Sequence, residues 1–373
     1  MSMKLRFGYF AGFAAVALLL GACVGADEGD LPGAGEVVVE DALDPKASDV
    51  SVTISANQAA VPAGESPFVT VTFTNNARHA VKLLSLYTAD GELEEDLFVV
   101  SLEGKQVDYI GPHYKRPAPE KEDFVVLAPG KSLTRDVSLA SFYDLTQTGD
   151  YTIQYAADLT KQTADQTITL ASNEASLWIE GRANPVIDGA AGAEPAGGSS
   201  FLTSSVSFTK CTATQQGTIM SALGASSSMA DDAAIYLSGS PTASARYTTW
   251  FGAFSSGGWS TAKSHFDAIK NALDTKPLTF NCGCKKQYYA YVYPNQPYII
   301  YPCAVFWKAP LSGTDSMGGT IIHELSHFTV VAGTDDYAYG QTNAKALAKS
   351  DPNKALFNAD NHEYFAENTP FLQ

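Results

Sequence analysis

Two histidines four residues apart flank a glutamate and two other residues in His323-Glu324-Leu325-Ser326-His327. On a helix, positions i and i+4 share a face, so both imidazoles can reach one cation lying about 2 Å from each nitrogen. Glu324 follows the first histidine and points to the same side. There it can accept a proton from a water that the metal has acidified to a pKa of about 7. The chemistry such spacing offers is hydrolysis assisted by Zn2+. Gly318-Gly319-Thr320-Ile321-Ile322 precedes the motif, giving the helix an approach and then apolar residues to bury its other face.

A catalytic zinc needs a third protein ligand and one open position. A third histidine at the usual longer spacing would require Gly at Val330 and His at Gly333, and no glutamate lies between Glu324 and Glu363. The chain instead continues into Gly333-Thr334-Asp335-Asp336-Tyr337-Ala338-Tyr339-Gly340. Glycine at each end permits a tight turn that brings an aspartate carboxylate back to the metal.

These residues resemble the aspzincin metallopeptidases, whose signature is HExxH followed by Gly-Thr-x-Asp-x-x-Tyr-Gly, and every fixed position is present. The resemblance implies one Zn2+ per chain held by His323, His327 and Asp336. It also implies Glu324 as general base and acid and Tyr339 as hydroxyl donor to the oxyanion, roles that suit amide hydrolysis. Asp335 falls at a variable position and reads as a solvated turn carboxylate.

Phe306-Trp307-Lys308-Ala309-Pro310, Gly313-Thr314-Asp315 and residues 358–368 are similar to the peptidyl-Lys metalloendopeptidase branch, so the likeness covers about 211–373. It implies an acidic S1′ pocket from Asp360 and Glu363 and cleavage on the amino side of lysine. Residues i and i+3 share a helix face, and two carboxylates suit one ammonium. His362 lies between them, faces elsewhere and reads as structural. His79, His113 and His265 have no ligand pattern around them and receive no function. A deuterolysin-like protease of broader specificity is the alternative within the family. An envelope lipoprotein that binds a partner is the alternative outside it.

The elements that must position these groups follow from composition. At 373 residues the chain has room for two domains and a targeting segment. A hydrophobic fraction of 45% with 17% charged residues describes a folded protein. The formal charge of −16 argues against nucleic acid as partner and favours cationic substrates. Lys4 and Arg6 precede an apolar run over 7–20, too short to span a bilayer comfortably, which reads as an export signal over 1–22. Leu20-Gly21-Ala22-Cys23 is similar to a bacterial lipobox, and cleavage after Val24-Gly25-Ala26 is the alternative. Membrane contact is expected only through a lipid on Cys23.

Cys211, Cys282, Cys284 and Cys303 remain, an even set that implies disulfides in an exported chain. Cys282 and Cys284 are too close along the chain to bond each other easily, which leaves two pairings. The family resemblance implies Cys211–Cys282 and Cys284–Cys303.

Short alternating runs such as Phe68-Val69-Thr70-Val71-Thr72-Phe73 mark a β-sandwich, with boundaries at 48–180 after a linker at 23–47. A Gly/Ala/Pro/Ser-rich stretch at 181–205 reads as a flexible, cleavable linker. The remaining 206–373 reads as a mainly helical, zincin-like catalytic domain with a small β-sheet, giving an α+β fold. Helices are expected at about 215–237, 260–274, 316–331 and 341–368, and strands at 287–293, 298–301 and 304–307. The tyrosine-rich stripe at 287–293 reads as core. A secreted endopeptidase must be silent before export, so the sandwich reads as a propeptide and inhibitor of its own enzyme. Tyr109-Ile110-Gly111-Pro112-His113-Tyr114-Lys115-Arg116-Pro117 reads as an exposed, stiff loop, from which Lys115 is expected to enter the acidic pocket. Substrates are then proteins or peptides containing lysine, met outside the cell.

Overall fold

Period-two burial builds the first half of the chain. In Phe68–Asn75 the residues Val69, Val71 and Phe73 turn inward while the threonines between them face outward. That strand is central in an antiparallel sheet, between Val50–Ala56 and Ser132–Ser138. A second sheet runs Ala60–Val61, Thr169–Ile179, Gly149–Asp158, Phe98–Leu102 and Lys105–Gln106. Both contribute to one apolar core that includes Phe73, Tyr151, Ile153 and Leu177. The computed structural model describes residues 41–162, 168–185, 194–195 and 205–373. The export-signal reading of 1–22 with Cys23, and most of the segments read as linkers, lie outside the described residues. Within the first of those segments, the Leu43 N–H donates to Ala80 O at 3.0 Å.

Among the described residues the second half has seven α-helices: α1 (Ala213–Leu237), α2 (Ala245–Phe251), α3 (Ser256–Thr275), α4 (Met317–His327), α5 (Gly340–Ser350), α6 (Pro352–Ala355) and α7 (Ala359–Glu367). The molecule is thus mixed α and β with several sheets. α1 starts at a capping box, Thr212 with Gln215, which satisfies two otherwise unpaired backbone N–H groups. Its alanine- and serine-rich face lets α4 come close. A Cβ on Gly318 would lie 3.0 Å from Ala225 Cβ and 3.2 Å from Ser226 N, and Ser226 Oγ donates to Gly318 O at 2.9 Å. α4 is buried along its whole length.

Several expectations change. α4 ends at His327 rather than near 331, because Phe328 leaves the helical region and its carbonyl accepts the N–H groups of Val331, Ala332 and Gly333. α2 is an additional helix, capped by Ser244. Residues 304–307 form no strand. The disulfide Cys284–Cys303 ties down the segment's start, and Phe306–Lys308 coils into a 3-10 turn closed by Ala309 N to Phe306 O.

The sheet of this half has six strands, in the order Glu194–Pro195, Val206–Thr209, Leu278–Asn281, Ile299–Pro302, Ala290–Val292 and His113–Lys115. Its last strand comes from the first half of the chain. The segment expected as an exposed loop is therefore a buried edge strand, with Lys115 only 1% exposed. Prolines at 112 and 117 hold the segment extended, and its backbone finds partners on the free edge of Ala290–Val292.

Candidate active site

α4 presents His323 and His327 on one face, with their Nε2 atoms 3.1 Å apart. The turn over 333–340 folds back beneath them, entered through Gly333 at φ +57° and left through Gly340 at φ +79°. Both values lie in the left-handed region that glycine enters at no steric cost. Asp336 thereby reaches both rings, Oδ1 at 3.2 Å from His323 Nε2 and Oδ2 at 3.4 Å from His327 Nε2. Asn358 pins the turn to the start of α7: its Oδ1 accepts from Tyr337 N at 2.7 Å and Ala338 N at 3.1 Å. His327 Nδ1–H donates to Thr334 O at 2.8 Å, which leaves the Nε2 lone pair facing the cluster.

Two imidazole nitrogens and a carboxylate form a donor set suited to zinc. Neither oxygen of Asp336 accepts an aligned hydrogen bond although the residue is buried, as a group waiting on a cation would be. Burial opposes ionisation of Asp336, but the facing rings of His327 and His323 hold its carboxyl well below the usual range. Glu324 is fully buried and neither of its oxygens has a hydrogen-bond partner. Burial raises its carboxyl to about 7, against the pull of His323 and His327.

α7 places Asp360, in its first turn, and Glu363, one turn on, behind His323. Asp360 Oδ1 lies 2.9 Å from His323 Nδ1, a close contact without hydrogen-bond alignment, and Asp360 Oδ2 accepts from Gly340 N at 2.6 Å. Lys115 enters this cluster. Its Nζ is 2.6 Å from Glu363 Oε2, 3.5 Å from Asp315 Oδ1 and 3.6 Å from Asp360 Oδ1, and it lies 4.6 Å from the centre of the Tyr289 ring. Burial works against the ammonium charge, yet Asp360, Glu363 and Asp315 raise its pKa well above the ordinary value. The Tyr339 hydroxyl donates to Tyr114 O at 2.8 Å. The strand pairs antiparallel with its host, Tyr114 opposite Tyr291, and Tyr289 N–H donates to Lys115 O at 3.0 Å.

Sequence reasoning misses several of these residues. Asp315 stands at φ +52° in the quoted Gly313-Thr314-Asp315 and adds a third carboxylate, which the segment alone does not reveal. The tyrosine stripe is not core: Tyr288, Tyr289 and Tyr291 are partly buried and face the inserted strand. His113, given no role from sequence, packs its ring 5.0 Å from that of His327, with Nδ1 3.5 Å from Asp335 Oδ1. His113, His327 and Asp336 bring potential ligand atoms within 4.8 Å of one another. Asp335 is 40% exposed and also accepts from Asp336 N at 2.7 Å. His362 turns away from the pocket, its Nε2 2.9 Å from His265 Nδ1. The disulfides are Cys211–Cys282 and Cys284–Cys303.

The profile of the aspzincin family, described as lysine-specific metallo-endopeptidase, matches residues 236–367. An extracellular protease of Aeromonas hydrophila is 47% identical over 309 residues, which are 81% of this chain and 88% of that protein. A peptidyl-Lys metalloendopeptidase of Grifola frondosa is 36% identical over 317 residues, again 81% of this chain and 88% of that protein. A solved structure of a zinc peptidase from Grifola frondosa shares 45% identity, covering 44% of this chain and 100% of that one at a TM-score of 0.43. The chain belongs to the aspzincin family and is a zinc metalloendopeptidase. A binding module without catalysis is set aside.

Proposed function

We propose that the chain is exported as an inactive precursor and, once relieved of residues 48–180, hydrolyses peptide bonds on the amino side of lysine. One observation carries the reading: Lys115 is enclosed by Asp315, Asp360 and Glu363 while the carbonyl before it accepts a hydrogen bond from Tyr339. In this reading Tyr114-Lys115 stands where a substrate would, between His113 packed against His327 and the Lys115 side chain in the carboxylate cluster. Relatives named extracellular protease and peptidyl-Lys metalloendopeptidase support export and lysine preference.

His323, His327 and Asp336 are the residues that would hold the zinc, which when bound would supply a Lewis acid for water and for the scissile carbonyl. Glu324 takes a proton from the attacking water and delivers it to the departing lysine nitrogen, so the C–N bond breaks after the C–O bond forms. Tyr339 donates to the carbonyl oxygen of the residue before lysine, where negative charge gathers as the carbon becomes tetrahedral. Asp315, Asp360 and Glu363 hold the lysine ammonium, and the edge of Ala290–Val292 aligns the substrate backbone.

The same contacts make the first half an inhibitor. Lys115 fills the specificity pocket and His113 fills the space against His327. Lys115→Met in the full chain keeps most of the length of the side chain and removes its charge, so hydrolysis of a lysine peptide should appear without prior processing, at least tenfold above the parent chain, because buried charge pairs hold such contacts. Unchanged latency contradicts the proposal.

A further inference from the structure

Resting on that reading of the site, we propose that Tyr288, Tyr291 and Lys286 form an S1 subsite that selects an aromatic residue immediately before the lysine. Tyr114 is the neighbour of Lys115 on the unprimed side. Its ring is buried, and the groups around it belong largely to the catalytic half. Tyr288 meets it edge-on with ring centres 5.2 Å apart and an interplanar angle of 63°. Tyr291 also packs against it, with ring centres 5.1 Å apart and planes tilted by 46°. Lys286 Nζ stands 4.6 Å from the ring centre and donates to the Tyr114 hydroxyl at 3.0 Å.

The wall is built rather than gathered by chance contacts. Tyr291 stacks on Tyr301 at 4.4 Å with planes 7° apart, and both meet Tyr293 edge-on. The backbone behind it is fixed to a neighbouring segment: Ala304 N donates to Lys286 O at 3.0 Å, Val305 N to Tyr288 O at 3.0 Å and Cys303 N to Tyr289 O at 2.8 Å. Cys303 in turn is bonded to Cys284. The backbone that carries Lys286, Tyr288 and Tyr291 is therefore held within the catalytic half, and a flat ring gains edge-to-face and cation–π contacts that alanine cannot make. Lys286 also pairs with Glu94 and Glu92 of the first half, partners that depart with the propeptide. Its ammonium then faces the incoming ring and, for tyrosine, the hydroxyl.

The test uses the active enzyme recovered after maturation of the full chain, and peptides that differ only in the residue before a single lysine. Tyrosine and phenylalanine should give kcat/KM about three- to tenfold above alanine, the range expected for aromatic contacts of this kind. Tyr291→Ala and, separately, Tyr288→Ala should each lower the aromatic-to-alanine ratio at least twofold. Tyr291 supports a stacked pair, so the Tyr288 variant and the parent series decide the matter if the Tyr291 protein does not fold. Equal rates across the series overturn the subsite, as does a preference for glutamate drawn by Lys286. Cleavage remote from lysine in these peptides would instead defeat the lysine reading, and is scored separately by the new N-terminus.

Discussion

Glu324 is the residue on which the proposed chemistry turns. Its carboxylate is buried, lacks hydrogen-bond partners and sits beside two histidines and an aspartate that converge within 3.4 Å. Glu324→Gln keeps the shape and removes the base. Turnover of a lysine peptide should fall by about a hundredfold or more, the scale of a lost general base, while zinc content measured by atomic absorption stays at one per chain. Activity persisting with zinc bound would show that Glu324 is not the base. At this scale the sequence is most legible where partners are close along the chain. His323, Glu324 and His327 share one helix face, and Gly333 announces the turn that returns Asp336. Asp315, Tyr289 and His113 stay hidden for the opposite reason: no local spacing marks residues that meet only when separate segments fold together.

The elements explain why the residues stand where they do. α4 can run through the middle of its half because small residues line the contact with α1. Gly318→Ala puts a Cβ 2.7 Å from Met229 Cε and 3.0 Å from Ala225 Cβ. Met229 can yield at its flexible end, whereas the α1 backbone yields less, so the substitution should cost about 1–3 kcal/mol. Denaturant unfolding of the full chain measures this, and a variant as stable as its parent would argue against so close an approach. Helices are readable from their apolar spacing and caps, with ends shifted where a carbonyl such as that of Phe328 finds other donors. The strand His113–Lys115 is not readable. Four residues between prolines look like a loop until a free sheet edge accepts them.

Across the whole molecule, one chain presents both an enzyme and a segment lying in its proposed substrate cleft. Arg116, next to the strand, donates to Glu94 at 2.9 Å and to the Tyr288 hydroxyl at 3.0 Å, and away from the strand Lys354 pairs with Asp158 between the two halves. Burial disfavours the charge on Glu94, yet Arg116 and Lys286 keep its carboxyl below the ordinary value. Removing this cover would expose the cluster of Asp315, Asp360 and Glu363, whose carboxylates suit a cationic side chain. The central claim is that the groove reads lysine on the amino side of which the chain is cut. Digesting a denatured protein with the matured enzyme and sequencing every new N-terminus tests it most directly. Lysine at nearly all of those termini is the predicted result, and a mixture of residues without lysine enrichment would contradict the account.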